Sequence, residues 1–161
     1  MIRPATATDA ADIAVFWNLQ IRDTAVTFNA IEKTAAEIAD LIKVRQAAGH
    51  AFHVAEDAGR LLGFASYGQF RAGIGYARTM EHTVILAPDA GRKGIGRALV
   101  TAIEDHARNG GVHSMFAGVS GENQAGLGFH AALGYVTVAV LPEVGFKFGR
   151  WMDLHLMQKL L

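Results

Sequence analysis

Cysteine is absent from the 161 residues. Disulfides, thiolate metal ligands and a cysteine nucleophile are excluded together, and such a chain fits a reducing compartment. Charge of one sign is not in excess either, since 15 Lys and Arg balance 15 Asp and Glu. A general nucleic-acid binder would carry a basic surplus to neutralise phosphates, so that class is set aside; a local basic patch for a small anion is not. No apolar run approaches a membrane span, and the opening Met1 to Val15 has no signal-peptide core. A cytoplasmic protein without nucleic-acid or membrane partners is expected. Internal repeats, low-complexity tracts and linkers are also missing, so residues 1–161 read as one domain. Proline is scarce at three, whereas glycine reaches 18 and apolar residues 51%. The apolar share suffices for a core, and many of the glycines should hold turns or close backbone approaches.

Periodicity places the elements. A short strand near Ile2 precedes Thr8, an N-cap candidate, with Asp9 and Asp12 suited to the positive end of a helix. Ile13, Phe16, Trp17 and Ile21 share one helical face. Thr34 to Glu37 reads as a capping box ahead of Ile38, Leu41 and Ile42, and Gly49 ends that helix. Two apolar runs, Ala51 to Glu56 and Leu61 to Gln69, flank Asp57-Ala-Gly-Arg60 as a hairpin. Thr79 to Leu86 is a strand, Gly94 to Arg108 a helix closed by Gly110-Gly111, and His113 to Val119 a strand. A short helix over Asn123 to Leu133 ends at Gly134. Strands Tyr135 to Leu141 and Trp151 to Gln158 complete the chain. This order predicts an α/β fold in which helices cover a mixed sheet.

The richest segment runs from Val84 to Leu99, where a strand meets a helix across Arg92-Lys-Gly-Ile-Gly-Arg97. Glycines let backbone N–H groups approach an anion, the helix N-terminus adds positive partial charge, and Arg92, Lys93 and Arg97 add full charges. Such a turn is suited to a pyrophosphate. A nucleotide P-loop would need Gly-Lys-Ser/Thr, which is missing, and a dinucleotide fingerprint would need a glycine where Leu99 stands. An ordinary strand-to-helix turn with solvated basic residues is the plain alternative.

The strand–Arg-Lys-Gly-Ile-Gly-Arg-Ala-Leu–helix segment resembles motif A of the GNAT superfamily of N-acetyltransferases. Asn123-Gln-Ala-Gly-Leu-Gly-Phe-His-Ala-Ala-Leu-Gly-Tyr135 resembles their motif B. Two further segments are similar to the phosphinothricin and methionine sulfone or sulfoximine acetyltransferases: Tyr76-Ala-Arg-Thr-Met-Glu-His-Thr-Val-Ile-Leu86 and Val144-Gly-Phe-Lys-Phe-Gly-Arg-Trp-Met-Asp-Leu154. The resemblance runs over essentially the whole chain, and the four segments occur in order. The resemblance implies the GNAT fold, with a mostly antiparallel mixed sheet of six to seven strands and about four helices. It implies acetyl-CoA as donor, a small amino acid or analogue as acceptor, and a homodimer in which Lys147 to Trp151 packs between protomers. It puts the pantetheine beside Val84, Ile85 and Leu86, on a strand that splays from its neighbour, with Asn123 on the same arm. It puts the pyrophosphate on Arg92, Lys93, Gly94, Ile95, Gly96 and Arg97. The family usually has Gln or Arg where this chain has Gly91.

Glu81 lies on an apolar strand beside this loop. A carboxylate there is either a general base for the acceptor ammonium, through water, or a structural group paired with a neighbouring cation. His130 is either satisfied within its helix or placed near the thioester, as the resemblance implies, to assist proton transfer. His82 should face away from Glu81. The remaining histidines show no metal-ligand spacing, and no metal is expected. By resemblance, Phe28, Arg71, Ala72 and Gly73 wall the acceptor pocket, with Arg71 holding the acceptor carboxylate; a surface arginine at a strand end is the plain alternative. An N-acetyltransferase for amino acids is expected, with other primary amines or a non-catalytic acyl-CoA sensor as alternatives.

Overall fold

A computed structural model describes residues 1–90 and 93–161. The first strand, β1 (Ile2–Pro4), leads into a single 3-10 turn, Ala7–Asp9, and then α1 (Ala10–Asp23). The capping role expected of Thr8 falls to Thr6 and Asp9. The Asp9 carboxylate accepts from the Thr6 N–H at 2.7 Å and from Arg3 at 2.8 and 2.9 Å. A two-pronged guanidinium contact fixes Asp9 where Thr8 has nothing comparable to offer. Ile13, Phe16, Trp17 and Ile21 all face the core, and the Trp17 ring lies 4.8 Å from Phe64. In α2 (Ala35–Ala47) the capping box forms as read: Thr34 N–H donates to Glu37 at 2.7 Å, and Glu37 N–H donates to Thr34 Oγ1 at 3.2 Å. Ile38 and Ile42 are buried, while Leu41 is half-buried at the rim. Gly49, at φ +76°, turns the chain out of the helix.

The sheet comprises β1, β2 (Phe52–Asp57), β3 (Arg60–Gln69), β4 (Thr79–Leu86), β5 (Ser114–Ser120), β6 (Val136–Lys147) and β7 (Arg150–Leu160). Its order is β1-β2-β3-β4-β5-β7-β6. The β2–β3 hairpin turns through Ala58 and Gly59, both at positive φ, the geometry that matches strand twist. Every neighbouring pair is antiparallel except β4 and β5. A parallel pair needs a long crossover, and α3 (Ile95–Asn109) supplies it. Strand alternation sends Phe64 to α1 and Tyr67 to α3, where the Tyr67 hydroxyl meets His106 at 2.7 Å. Thus α1 and α2 cover one face, and α3 with α4 (Gln124–Ala132) covers the other.

The last two strands run longer than the apolar pattern indicated. β6 continues past Leu141 to Lys147 through an irregular stretch that absorbs Pro142 and Glu143, the latter at φ +54°. Proline in a strand is tolerated at an edge or a bulge, and β6 is the sheet edge.

Candidate active site

Pairing between β4 and β5 runs from Thr79↔Ser114 only to His82↔Ala117. Beyond it the strands diverge, while β4 stays bonded to β3 as far as Leu86. One edge of β4 is therefore left with backbone groups that need partners. A cavity of about 250 Å³ occupies the gap. Glu81, Val84 and Ile85 line it from β4, Gly118 to Ser120 from β5, Thr27 and Phe28 from the α1–α2 connection, and Asn123 and His130 from α4 and its cap. The Asn123 side chain accepts the Gly126 N–H at 2.8 Å, which holds it as the N-cap of α4 at the cavity wall. Leu86 is half-buried just beyond.

The acceptor-side wall is pinned from the far edge of the sheet. Buried Lys147 donates its Nζ protons to the carbonyls of Thr24 at 2.6 Å and Thr27 at 2.9 Å. A Cβ on Gly145 would come within 2.5 Å of the Phe28 ring, so only glycine lets that ring lie against β6. The resemblance placed Lys147 in an interface segment. It points inward instead, because its ammonium finds two carbonyls with no partner of their own in a helix or strand. Its pKa is pushed down by burial.

Glu81 projects into the gap, with its Oε2 over Gly118. It makes no hydrogen bond or ion pair among the described residues; the cation whose charge reaches it is Arg45, which comes from α2 and not from a neighbouring strand. Surrounding protein raises its pKa above the ordinary carboxylate value, and the charge of Arg45 draws it partly back. His82 faces the other side, as strand alternation required.

His130 is buried in α4, with both ring nitrogens engaged. Nδ1 lies 2.7 Å from the Gly126 carbonyl and must donate to it. Nε2 lies 3.0 Å from Nε2 of His82, so in the neutral pair His82 donates and His130 accepts. Burial holds both rings neutral and takes His82 down to about 3. Behind them the Tyr135 hydroxyl donates to Glu104 at 2.9 Å, and Glu104 accepts from Lys159 at 2.6 Å. The sequence reading missed this polar row, whose members lie on β4, α4, α3 and β7 and, for Tyr135, just ahead of β6; the one available signal was a histidine and a glutamate on otherwise apolar faces.

At the start of α3, Gly94 is the N-cap at φ +75°. Lys93 and Arg97 are exposed, Ile95 is half-buried, and Gly96 is buried with its Cα close to the Phe129 ring. Arg92 and Gly91 lie outside the described residues. Arg71, Ala72 and Gly73 form an exposed loop after β3, and none lines the cavity. The Arg71 guanidinium sits 5.7 Å from the Tyr76 ring. Among the described residues no cluster of three or more His, Asp or Glu is placed to hold a metal, and no helix is long and apolar enough to cross a membrane.

A family model described as an acetyltransferase (GNAT) domain matches residues 2–156. The chain is 41% identical, over 98% of its length and 91% of the relative's, to L-amino acid N-acyltransferase MnaT of Escherichia coli (strain K12). It is 37% identical, over 98% and 92%, to the L-methionine sulfoximine/L-methionine sulfone acetyltransferase of Salmonella typhimurium. Among solved structures, yncA of Salmonella typhimurium with its cofactor acetyl-CoA superposes at TM-score 0.96 with 37% identity, covering 100% of this chain and 93% of that one. A phosphinothricin acetyltransferase from Sinorhizobium meliloti in complex with acetyl-CoA superposes at 0.95 with 29% identity, covering 100% and 88%.

Proposed function

The chain belongs to the GNAT acetyltransferase family, and from that premise we propose that it moves the acetyl group of acetyl-CoA to the α-amine of a small amino acid or analogue. Methionine sulfone, methionine sulfoximine and phosphinothricin are the acceptors that the relatives' names support. Each pairs an α-amino acid with a tetrahedral polar head. The observation that carries the reading is the unpartnered Glu81 carboxylate in the gap between β4 and β5.

The free edge of β4 at Val84, Ile85 and Leu86 offers backbone groups to the amides of the pantetheine arm, with Asn123 opposite. Lys93, Gly94, Ile95, Gly96 and Arg97 present N–H groups and charge to the pyrophosphate at the start of α3. An acceptor amine arrives as an ammonium and must lose a proton before its lone pair can attack the thioester carbonyl. Glu81 takes that proton, directly or through one water, and its raised pKa brings it closer to the working pH. Attack forms the C–N bond and breaks the C–S bond within one ternary complex. Ammonium and thioester yield amide, thiol and one proton. His130 takes second place: with its Nδ1–H committed to Gly126, its Nε2 carries no proton and can protonate the departing thiolate only after releasing His82 and taking up a proton itself. Phe28 walls the acceptor, and the exposed Arg71 to Gly73 loop takes no part in the cavity lining.

The apolar face of β6 and β7 that carries Val140, Phe146 and Trp151, all exposed, supports a homodimer. The absence of cysteine supports a cytoplasmic setting.

Thiol release from acetyl-CoA across a panel of free amino acids tests the reading. Turnover with methionine sulfone or a related acceptor is expected. Acetyl-CoA binding without thiol release for any acceptor would instead make the chain an acyl-CoA sensor, and turnover limited to polyamines or peptide N-termini would move it to another acceptor class.

A further inference from the structure

Arg45 belongs to the last turn of α2, where a basic side chain ordinarily turns toward the final carbonyls and the negative end of the helix dipole. It does not do so here. Its guanidinium crosses to the sheet and sets Nη1 against Gly68 of β3, where a Cβ built on Gly68 would overlap that nitrogen. Gly68 is the cross-strand partner of Glu81. Side-chain positions on directly opposite residues are about 5 Å apart, so the guanidinium occupies the side-chain place beside the Glu81 carboxylate, on the same face of the sheet. A glycine inside an otherwise apolar strand marks a close approach, and the approaching group is this cation.

Two further facts define its chemistry. Arg45 is half-buried, yet its guanidinium makes no hydrogen bond or ion pair among the described residues, and the nearby Glu81 makes none either. A cation partly withdrawn from water and without acceptors is costly unless a ligand completes it. Neither Arg45 nor Arg71, the other candidate for such a role, lines the cavity itself; Arg45 stands beside cavity-lining Glu81 and its charge acts on that carboxylate, whereas Arg71 is exposed beside Tyr76.

We propose that Arg45 binds the carboxylate of the acceptor, so that Arg45 and Glu81 together form a two-charge seat for an α-amino acid. The ammonium faces Glu81 and the carboxylate faces Arg45, an arrangement that the single carbon between those groups allows across adjacent strands. A guanidinium presents two parallel N–H groups to a carboxylate, which fixes the α-amine as well as binding it. The preference for amino acids over simple amines then resides on α2 and β3. This assignment rests on the N-acetyltransferase reading above.

The test compares methionine sulfone with its primary carboxamide, each as the ratio of variant to wild-type kcat/KM. Arg45→Met keeps apolar cover over Gly68 and removes the charge. It is expected to lower kcat/KM for the free acid about 100-fold, the scale for a partly buried charge losing its partner, and to leave the carboxamide within a few-fold. Arg45→Lys should recover part of the loss. Gly68→Ala keeps the charge but displaces the guanidinium, and should also weaken the free acid selectively. The KM for acetyl-CoA should stay unchanged throughout, which shows that the variants are folded. Equal losses for acid and carboxamide would overturn the proposal, since a cation that only tunes Glu81 acts on both alike. Selective loss in Arg71→Met with none in Arg45→Met would move the carboxylate to Arg71. Failure of the wild type to release thiol with any amino acid would overturn this proposal together with the reading beneath it, whereas equal losses leave that reading standing.

Discussion

Glu81 combines two properties that pull in opposite directions. Its raised pKa means that the folded protein disfavours the ionised form. The stability tied to its protonated state is present at low pH and is lost as pH rises through the folded value. Glu81→Gln keeps the shape without the ionisation. Its kcat should fall roughly 100-fold, as for a lost general base, the acidic limb of the pH–rate profile should flatten, and the melting temperature at pH 7 should hold or rise. Near-normal turnover with an unchanged profile would shift the role to His130. Asp9 shows the reverse sign. Arg3, burial-opposed but dominant, and the Thr6 N–H hold its carboxyl down to about 2 from 3.8. Its contribution is complete above about pH 4 and fades as pH falls toward 2. Asp9→Asn should therefore cost about 2 to 3 kcal/mol at pH 7, from the fall of its carboxyl from 3.8 to about 2 at about 1.4 kcal/mol per pH unit, and the difference should vanish below about pH 2 in denaturant melts. A constant difference across that range would assign the loss to packing.

Among the elements, the first turn of α3 is where the donor site proposed above can be tested apart from the acceptor site. Gly94 sits in the left-handed region with open space around its Cα, so Gly94→Ala tests conformation alone and carries a strain of about 1 kcal/mol. Gly96 is different: a Cβ there would lie 3.2 Å from the Phe129 ring, so Gly96→Val must push α4 away. Both changes should raise the KM for acetyl-CoA, Gly96→Val by at least tenfold, and leave the acceptor KM alone. An unchanged donor KM in folded protein would remove the pyrophosphate from this turn. The helices were legible in the sequence because their caps and faces are local: Thr34 with Glu37, Ile13 with Phe16 and Trp17. Strand β4 was legible to the residue. The end of β6 was not, since Pro142 and Gly145 interrupt the apolar pattern while a bulge carries the pairing through. Glu81 and Asn123 line the cavity. Arg45 could not be found, because its meaning depends on Gly68 and Glu81, two strands it reaches only by tertiary packing. Lys147 likewise has meaning only against the carbonyls of Thr24 and Thr27.

At the scale of the molecule, the outer face of β6 and β7 is apolar and close to the residues that shape the cavity, because the same hairpin contributes Lys147 and Gly145 to the wall behind Phe28. Trp151, 61% exposed and packed 4.9 Å from Phe146, is the largest group on that face. Trp151→Glu should convert a dimer to a monomer in light scattering; a variant that keeps the wild-type mass would place the interface elsewhere. The seam between β4 and β5 divides the sheet into an amino-terminal group of four strands and a carboxyl-terminal group of three, joined by only a short parallel ladder. A thioester lying in that seam would serve as mortar between the two halves as well as reagent. Occupancy at a hundredfold excess over its dissociation constant would add about 2.7 kcal/mol. Amide exchange and protease cutting near Thr83 to Leu86 should slow accordingly when acetyl-CoA is supplied, so the lifetime of the chain would follow the local supply of its own substrate.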